Sequence, residues 1–122
     1  MADPADLRRG QIHWAYLDPI VGSEQAGRRP VVIVSSSDLL GGPTAIVVPI
    51  SSRIPERTPA FLVPLARERT GLARDSVACC HQVRALSVRR LVQRAGPDLS
   101  QEDMWAITAA LRYALGLEEE PV

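Results

Sequence analysis

Two adjacent arginines, Arg28 and Arg29, close a short polar stretch at residues 22–30, GSEQAGRRP, that also carries Glu24 and Gln25 and lies between two apolar runs. Guanidinium forks match phosphate oxygens in shape and charge, and a carboxylate held nearby has the chemistry of a proton acceptor. Gly22 and Gly27 permit backbone angles closed to other residues, and Pro30 fixes the entry to the following run. Loops carried on rigid strands are where binding and catalytic groups concentrate. The same composition also describes a plain polar hairpin loop with a surface ion pair, so this stretch alone leaves both readings open.

The charge distribution adds to it. All fourteen basic residues are arginine, and the formal net charge is zero. Between Arg8 and Arg94, however, thirteen arginines face six carboxylates, a net of +7, offset by −2 over residues 1–7 and −5 over residues 95–122. A GC-rich coding bias explains the missing lysine but not the segregation. A basic body of this kind favours a polyanionic partner.

At 122 residues the chain makes one domain, residues 1–122, with short flexible tails expected at 1–7 and 118–122. It contains no apolar run near the ~18 residues of a membrane helix, and its N-terminus is not apolar, so a cytoplasmic protein without membrane contact is expected. The only cysteines, Cys79 and Cys80, are neighbours and offer no disulfide framework. On a strand they and His81 would point to alternating sides, so no metal site and no cofactor is predicted.

These groups need elements to hold them. Residues 11–18 alternate at strand period, residues 31–35 form a β-branched run typical of a strand buried on both faces, and residues 44–52 form a third strand. Pro49 inside that strand predicts an edge or a bulge, because proline gives the ladder no donor. Residues 36–40 suggest a helical turn, and residues 60–65, 76–86 and 91–94 read as further strands. Ser100 is a candidate N-cap for an amphipathic helix of about four turns, with Met104, Ile107, Ala110, Leu111, Ala114 and Leu115 on one face and Gly116 as the stop. Trp105 and Tyr113 flank that face and read as packing residues. The fold class is mainly β with a C-terminal α-helix, a small antiparallel barrel with the helix packed on it.

Residues 9–18 (RGQIHWAYLD), 22–30, 31–35, 46–52 (IVVPISS), 71–84 (GLARDSVACCHQVR) and the helix ending ALGL at 114–117 together resemble the MazF/PemK toxins of bacterial toxin–antitoxin pairs. The resemblance spans residues 9–117. It implies a barrel of the CcdB/PemK type and a sequence-specific endoribonuclease that cuts single-stranded messenger RNA. It also implies a homodimer silenced by a cognate antitoxin, here expected to bind through an acidic segment. On this resemblance Arg29 is the catalytic arginine, Glu24 the loop carboxylate beside it, and Ser51 the hydroxyl at the end of the third strand, where the family usually has threonine. Gln25, Arg28, Ser52, Arg53, Gln82 and Arg84 are assigned to RNA contact, and His81, which stands where many members carry an acidic residue, receives no role.

Residue chemistry agrees with that reading. RNA cleavage without a metal uses the 2′-hydroxyl as nucleophile, and the negative charge that builds on phosphorus is met by an arginine fork and a hydroxyl donor. Glu24 is a better base than a guanidinium, which stays charged. A two-histidine mechanism through His13 and His81 is disfavoured, since neither lies in the loop. Two other classes remain: a non-enzymatic, gyrase-binding toxin of the CcdB type, and a catalytically silent RNA-binding module.

Overall fold

The structure is a computed structural model that describes residues 3–17 and 28–118. In chain order the elements are β1 (Ile12–Tyr16), β2 (Arg28–Ile33), β3 (Thr44–Ser51), β4 (Leu62–Leu65), a single helical turn α1 (Arg67–Thr70), β5 (Ser76–Cys79), β6 (Arg84–Ser87), β7 (Leu91–Arg94) and α2 (Gln101–Ala114). Among the described residues these strands join one sheet, β4-β5-β3-β2-β1-β7 with β6 also against β3, and every pairing is antiparallel.

Strand β3 is the hub. One edge pairs with β2 from Val47 to Pro49, while the other pairs with β6 over Thr44–Val47 and then with β5 at Ile50 and Ser51. Strands β4 and β7 each have one partner. The sheet is therefore barrel-like but open, with the C-terminal helix packed on it.

Two expectations change for one reason. Residues 76–86, read as one strand, divide into β5, a 3-10 turn at Cys80–Gln82, and β6. The chain must step sideways there to reach a different part of β3. Pro49, expected at an edge or bulge, is buried in an inner strand at the point where β3 changes partner on its β5/β6 side. A residue without an N–H is tolerated where the ladder is already interrupted. Residues 36–40 form a single hydrogen-bonded turn, closed by Leu39 N–H to the Ser36 carbonyl at 3.1 Å.

Alternation along the strands divides the core in two. Ile12, Val32, Val48, Ile50 and Ala78 share one face with Leu99, Ile107 and Ala110, so α2 covers that side. Ala15, Val31, Ile33, Ala45, Val47 and Leu86 share the other, closed by Leu7, Val88 and Leu91. Leu7 is buried and follows a 3-10 turn at Pro4–Asp6, so the ordered fold begins ahead of Arg8. Ser100 caps α2, its Oγ accepting from the Asp103 N–H at 3.1 Å, and helix burial centres on Ile107 and Ala110. Trp105 and Tyr113, read as packing residues, are instead 63% and 60% exposed, because they lie on the α2 surface that faces away from the sheet.

One close approach fixes the connection from β7 to α2. A Cβ at Gly96 would stand 2.1 Å from the backbone carbonyl oxygen of Thr70, itself fully buried, so only glycine fits. Gly96→Ala must push two backbone segments apart, and we expect a loss of about 1–3 kcal/mol of stability. It should appear as a lower urea midpoint at unchanged slope, with Gly42→Ala, which meets only an ordinary contact, close to wild type. An unshifted midpoint in Gly96→Ala would show that the Thr70 segment yields freely.

Candidate RNA-binding and catalytic face

Glu24 and Gln25 lie outside the described residues; the other assigned residues are placed as follows. Arg29 is the second residue of β2, exposed, and opposite Ala15 of β1. Ser51 ends β3, is half-buried, and lies opposite Val77 of β5. Its Oγ accepts the Arg53 N–H at 3.1 Å, which turns the chain out of the strand and leaves Ser52 and Arg53 exposed.

Register shows which of these share a face. Residues directly opposite in an antiparallel pair point the same way, as do residues two apart along a strand. Arg29 leads to Val31, Val31 pairs with Pro49, Pro49 leads to Ser51, and Ser51 pairs with Val77, two residues before Cys79. Arg29, Ser51 and Cys79 thus belong to one face, on the side of the sheet away from α2. The Arg29 charge acts on Cys79, opposing the burial that raises that thiol above its usual range. Arg84 joins the same face, since it pairs with Val47, which in turn pairs with Ile33.

The remaining residues separate from that group. Arg28 points to the opposite face of β2, where its guanidinium carbon stands 5.5 Å from the centre of the Trp14 ring in a cation–π contact. Gln82 is exposed at the end of the 3-10 turn, its amide nitrogen 3.4 Å from His81 Nε2, and His81 is tilted against Phe61 with ring centres 4.4 Å apart. The sequence reading gave Trp14 and Tyr16 no part near the arginines. Their signal was the two-residue spacing on a strand that pairs back onto Arg28 and Pro30.

Burial also separates the two histidines. His13 is buried, its Nε2 2.9 Å from Gln11 Oε1, while Gln11 Nε2 donates to the Asp6 carbonyl at 3.1 Å. Its Nδ1 is buried without a hydrogen-bond partner. Burial first, and the Arg94 charge second, lower its pKa from 6.5 to about 4, with Asp98 opposing. His13 is a neutral packing residue, and His81 is exposed on another element, so they form no acid–base pair. Among the described residues no group of three or more His, Cys, Asp or Glu is placed to hold a metal ion, and no helix is long and apolar enough to cross a membrane.

The class of protein this defines is a small, open antiparallel barrel with a C-terminal helix on one face and an arginine–hydroxyl pair on the other. The chain belongs to the PemK-like, MazF-like toxins of type II toxin–antitoxin systems, whose family model matches residues 8–115. It is 35% identical over 114 residues to the endoribonuclease EndoA of Bacillus subtilis, covering 91% of this chain and 96% of that protein. The Mycobacterium tuberculosis toxin MazF-mt6 superposes with a TM-score of 0.71 at 26% identity, covering 87% of this chain and 96% of that one. A MazE–MazF structure from Deinococcus radiodurans shares the fold at a TM-score of 0.71 and 23% identity, over 89% of this chain and 95% of that one.

His13 gives the face a measurable pH signature. Its folded-state pKa lies below its unfolded value, so between about pH 6.5 and about pH 4 the unfolded chain binds the extra proton. Stability contributed by the neutral imidazole is fully present above 6.5 and is lost as the pH falls through that window, by on the order of 3 kcal/mol in total. Urea midpoints should fall on acidification from pH 7 to pH 5, and His13→Gln should flatten that slope. An equal slope in the variant would assign the loss to other groups.

Proposed function

We propose that this protein is the toxin of a type II toxin–antitoxin pair and a metal-independent endoribonuclease that cuts single-stranded messenger RNA. The observation that carries this reading is the register that puts the exposed Arg29 and the half-buried Ser51 on one rim of the sheet, on the face away from α2. The naming of its B. subtilis relative as an endoribonuclease favours the enzyme over a gyrase-binding toxin or a silent RNA-binding module.

In this mechanism a phosphodiester lies against the rim, and Arg29 meets two of its oxygens with its guanidinium fork. As the 2′-hydroxyl attacks, charge accumulates on the five-coordinate phosphorus, and Arg29 and the Ser51 hydroxyl stabilise it more than they stabilise the substrate. Glu24, which precedes Arg29 in the sequence, takes the 2′-hydroxyl proton. The bond from phosphorus to the 5′-oxygen breaks, the departing oxygen takes a proton from water, and the products are a 2′,3′-cyclic phosphate and a 5′-hydroxyl. Gln25, Arg28, Ser52, Arg53, Gln82 and Arg84 contact the RNA on either side. The toxin acts in the cytoplasm as a homodimer, and the cognate antitoxin silences it by laying an acidic segment along the same basic rim.

Arg29→Ala is expected to lower cleavage by 10²–10³-fold with an unchanged melting temperature, the typical cost of one transition-state donor. Ser51→Ala should cost less, and Arg29→Lys should remain impaired because it keeps the charge and loses the fork. An effect of tenfold or less for Arg29→Ala would remove Arg29 from the chemistry.

The source of the nucleophile is tested separately. An RNA carrying a 2′-deoxy nucleotide at the cut position should still bind, because phosphate contacts dominate affinity, yet should resist cleavage. Cutting of native RNA should persist in chelator. Cleavage of the deoxy substrate, or activity lost to chelator and restored by magnesium, would overturn the 2′-hydroxyl mechanism.

A further inference from the structure

The opposite side of the same rim carries a second feature, which rests on the ribonuclease reading above and deepens it. Tyr16 ends β1 directly opposite Arg28, and its side chain is 51% exposed. Trp14, two residues before Tyr16 on β1 and on the same face, lies behind Arg28 of the neighbouring β2, with the guanidinium carbon 5.5 Å from its ring centre in a cation–π contact. The end of β1 is itself pinned. Arg90 reaches across from the 3-10 turn at Val88–Arg90, and its NH1 donates to the carbonyls of Tyr16 at 3.3 Å and Leu17 at 2.8 Å. An aromatic ring and an arginine fork are thus presented side by side on a pinned strand end, one residue along the chain from Arg29.

A structural role does not account for this arrangement. A tyrosine recruited for packing buries its ring, whereas this ring lies half in water and outside both core clusters. Arg28 forms its ring contact on the surface, where such contacts contribute modestly to stability. What an exposed flat ring and an oriented fork recognise together is a nucleobase: the ring takes its π-face, and the fork takes acceptors on its edge. Because Arg28 and Arg29 point to opposite faces of β2, a base on Tyr16 and a phosphate on Arg29 would straddle the rim of one strand pair.

We infer that Tyr16 and Arg28 form a nucleobase subsite of single-stranded RNA, holding an unstacked base next to the phosphate that is cut. Tyr16 supplies stacking that any base accepts. Arg28 favours bases that turn carbonyl or ring-nitrogen acceptors toward it. The subsite therefore helps to select which phosphate reaches Arg29, and its loss is read in binding and KM rather than in the chemical step.

The test uses the intact protein and a short single-stranded RNA that the wild type cleaves. Abasic residues replace the nucleotides flanking the cut one at a time, and binding is measured on the matching oligonucleotides with a 2′-deoxy cut position. One abasic position should weaken wild-type binding about tenfold, and Tyr16→Ala should weaken binding of the complete RNA by a similar factor. The variant should then be indifferent to that same abasic position. Tyr16→Phe, which keeps the ring, should recover most of the affinity, and Tyr16→Leu, which keeps volume without a π-face, should not. Recovery by Tyr16→Leu, or full affinity in Tyr16→Ala while the wild type still cuts, would overturn the subsite and leave the nuclease standing. An RNA series that the wild type neither binds nor cuts would instead overturn the nuclease reading, and the subsite with it.

Discussion

Strand β3 must satisfy two different partners along one edge, and most of the architecture is a response to that demand. Its first half takes β6 and its last two residues take β5, so the chain between those strands has to shift laterally within a few residues. The Cys80–Gln82 turn makes the shift, and Val83 N–H closes it onto the Cys80 carbonyl at 3.4 Å. Pro49 occupies the matching gap in β3, where a ladder donor has no registered partner. Were β3 paired with one continuous strand, Ser51 would not end beside Val77, and the hydroxyl would lose its place on the face that carries Arg29.

The two faces of the sheet are consequently unequal in kind. One is sealed by α2 through Ile107 and Ala110, each large apolar side chain buried there contributing about 1.5–3 kcal/mol relative to exposure. Arg9 locks the helix to the sheet, donating to the Val34 carbonyl and, at 2.8 Å, to Thr108 Oγ1. Arg69 does the same from α1, meeting the buried Asp103 carboxylate at 3.1 Å. The other face is closed among the described residues by Leu7, Val88 and Leu91 rather than by α2, and its apolar centre gives way at the rim to Arg29, Ser51 and Arg84.

How much of this was legible in the sequence depends on whether the signal was local. The 91–94 strand and the Ser100 cap were readable because period and capping chemistry lie within a few residues. The split of residues 76–86 was not, since nothing inside that run announces that its partner changes. The stripe through Ile107 and Ala110 was readable from its helical spacing, whereas Trp105 and Tyr113, read as packing residues beside it, are left exposed. The arginine excess also overstated the surface available to a polyanion. Arg9, Arg69 and Arg90 are engaged in holding elements together, and Arg94 is bound to Asp98. Arg29 and Ser51 were put together by resemblance alone, and the register shows only that they share a face of the sheet.

An open sheet also has to avoid becoming a template for its own copies. Among the described residues β4 and β7 end the sheet and β6 pairs on one side only, so each leaves one row of backbone groups without a strand partner. All three are only four residues long, too short to seed an extended ladder. Pro64 removes a donor from β4, and the register shift between Trp14 and Ala15 twists the seam where β7 joins β1. The same proline and the same irregularity that make these strands poor sheet-formers protect a protein with a half-open barrel from polymerising edge to edge.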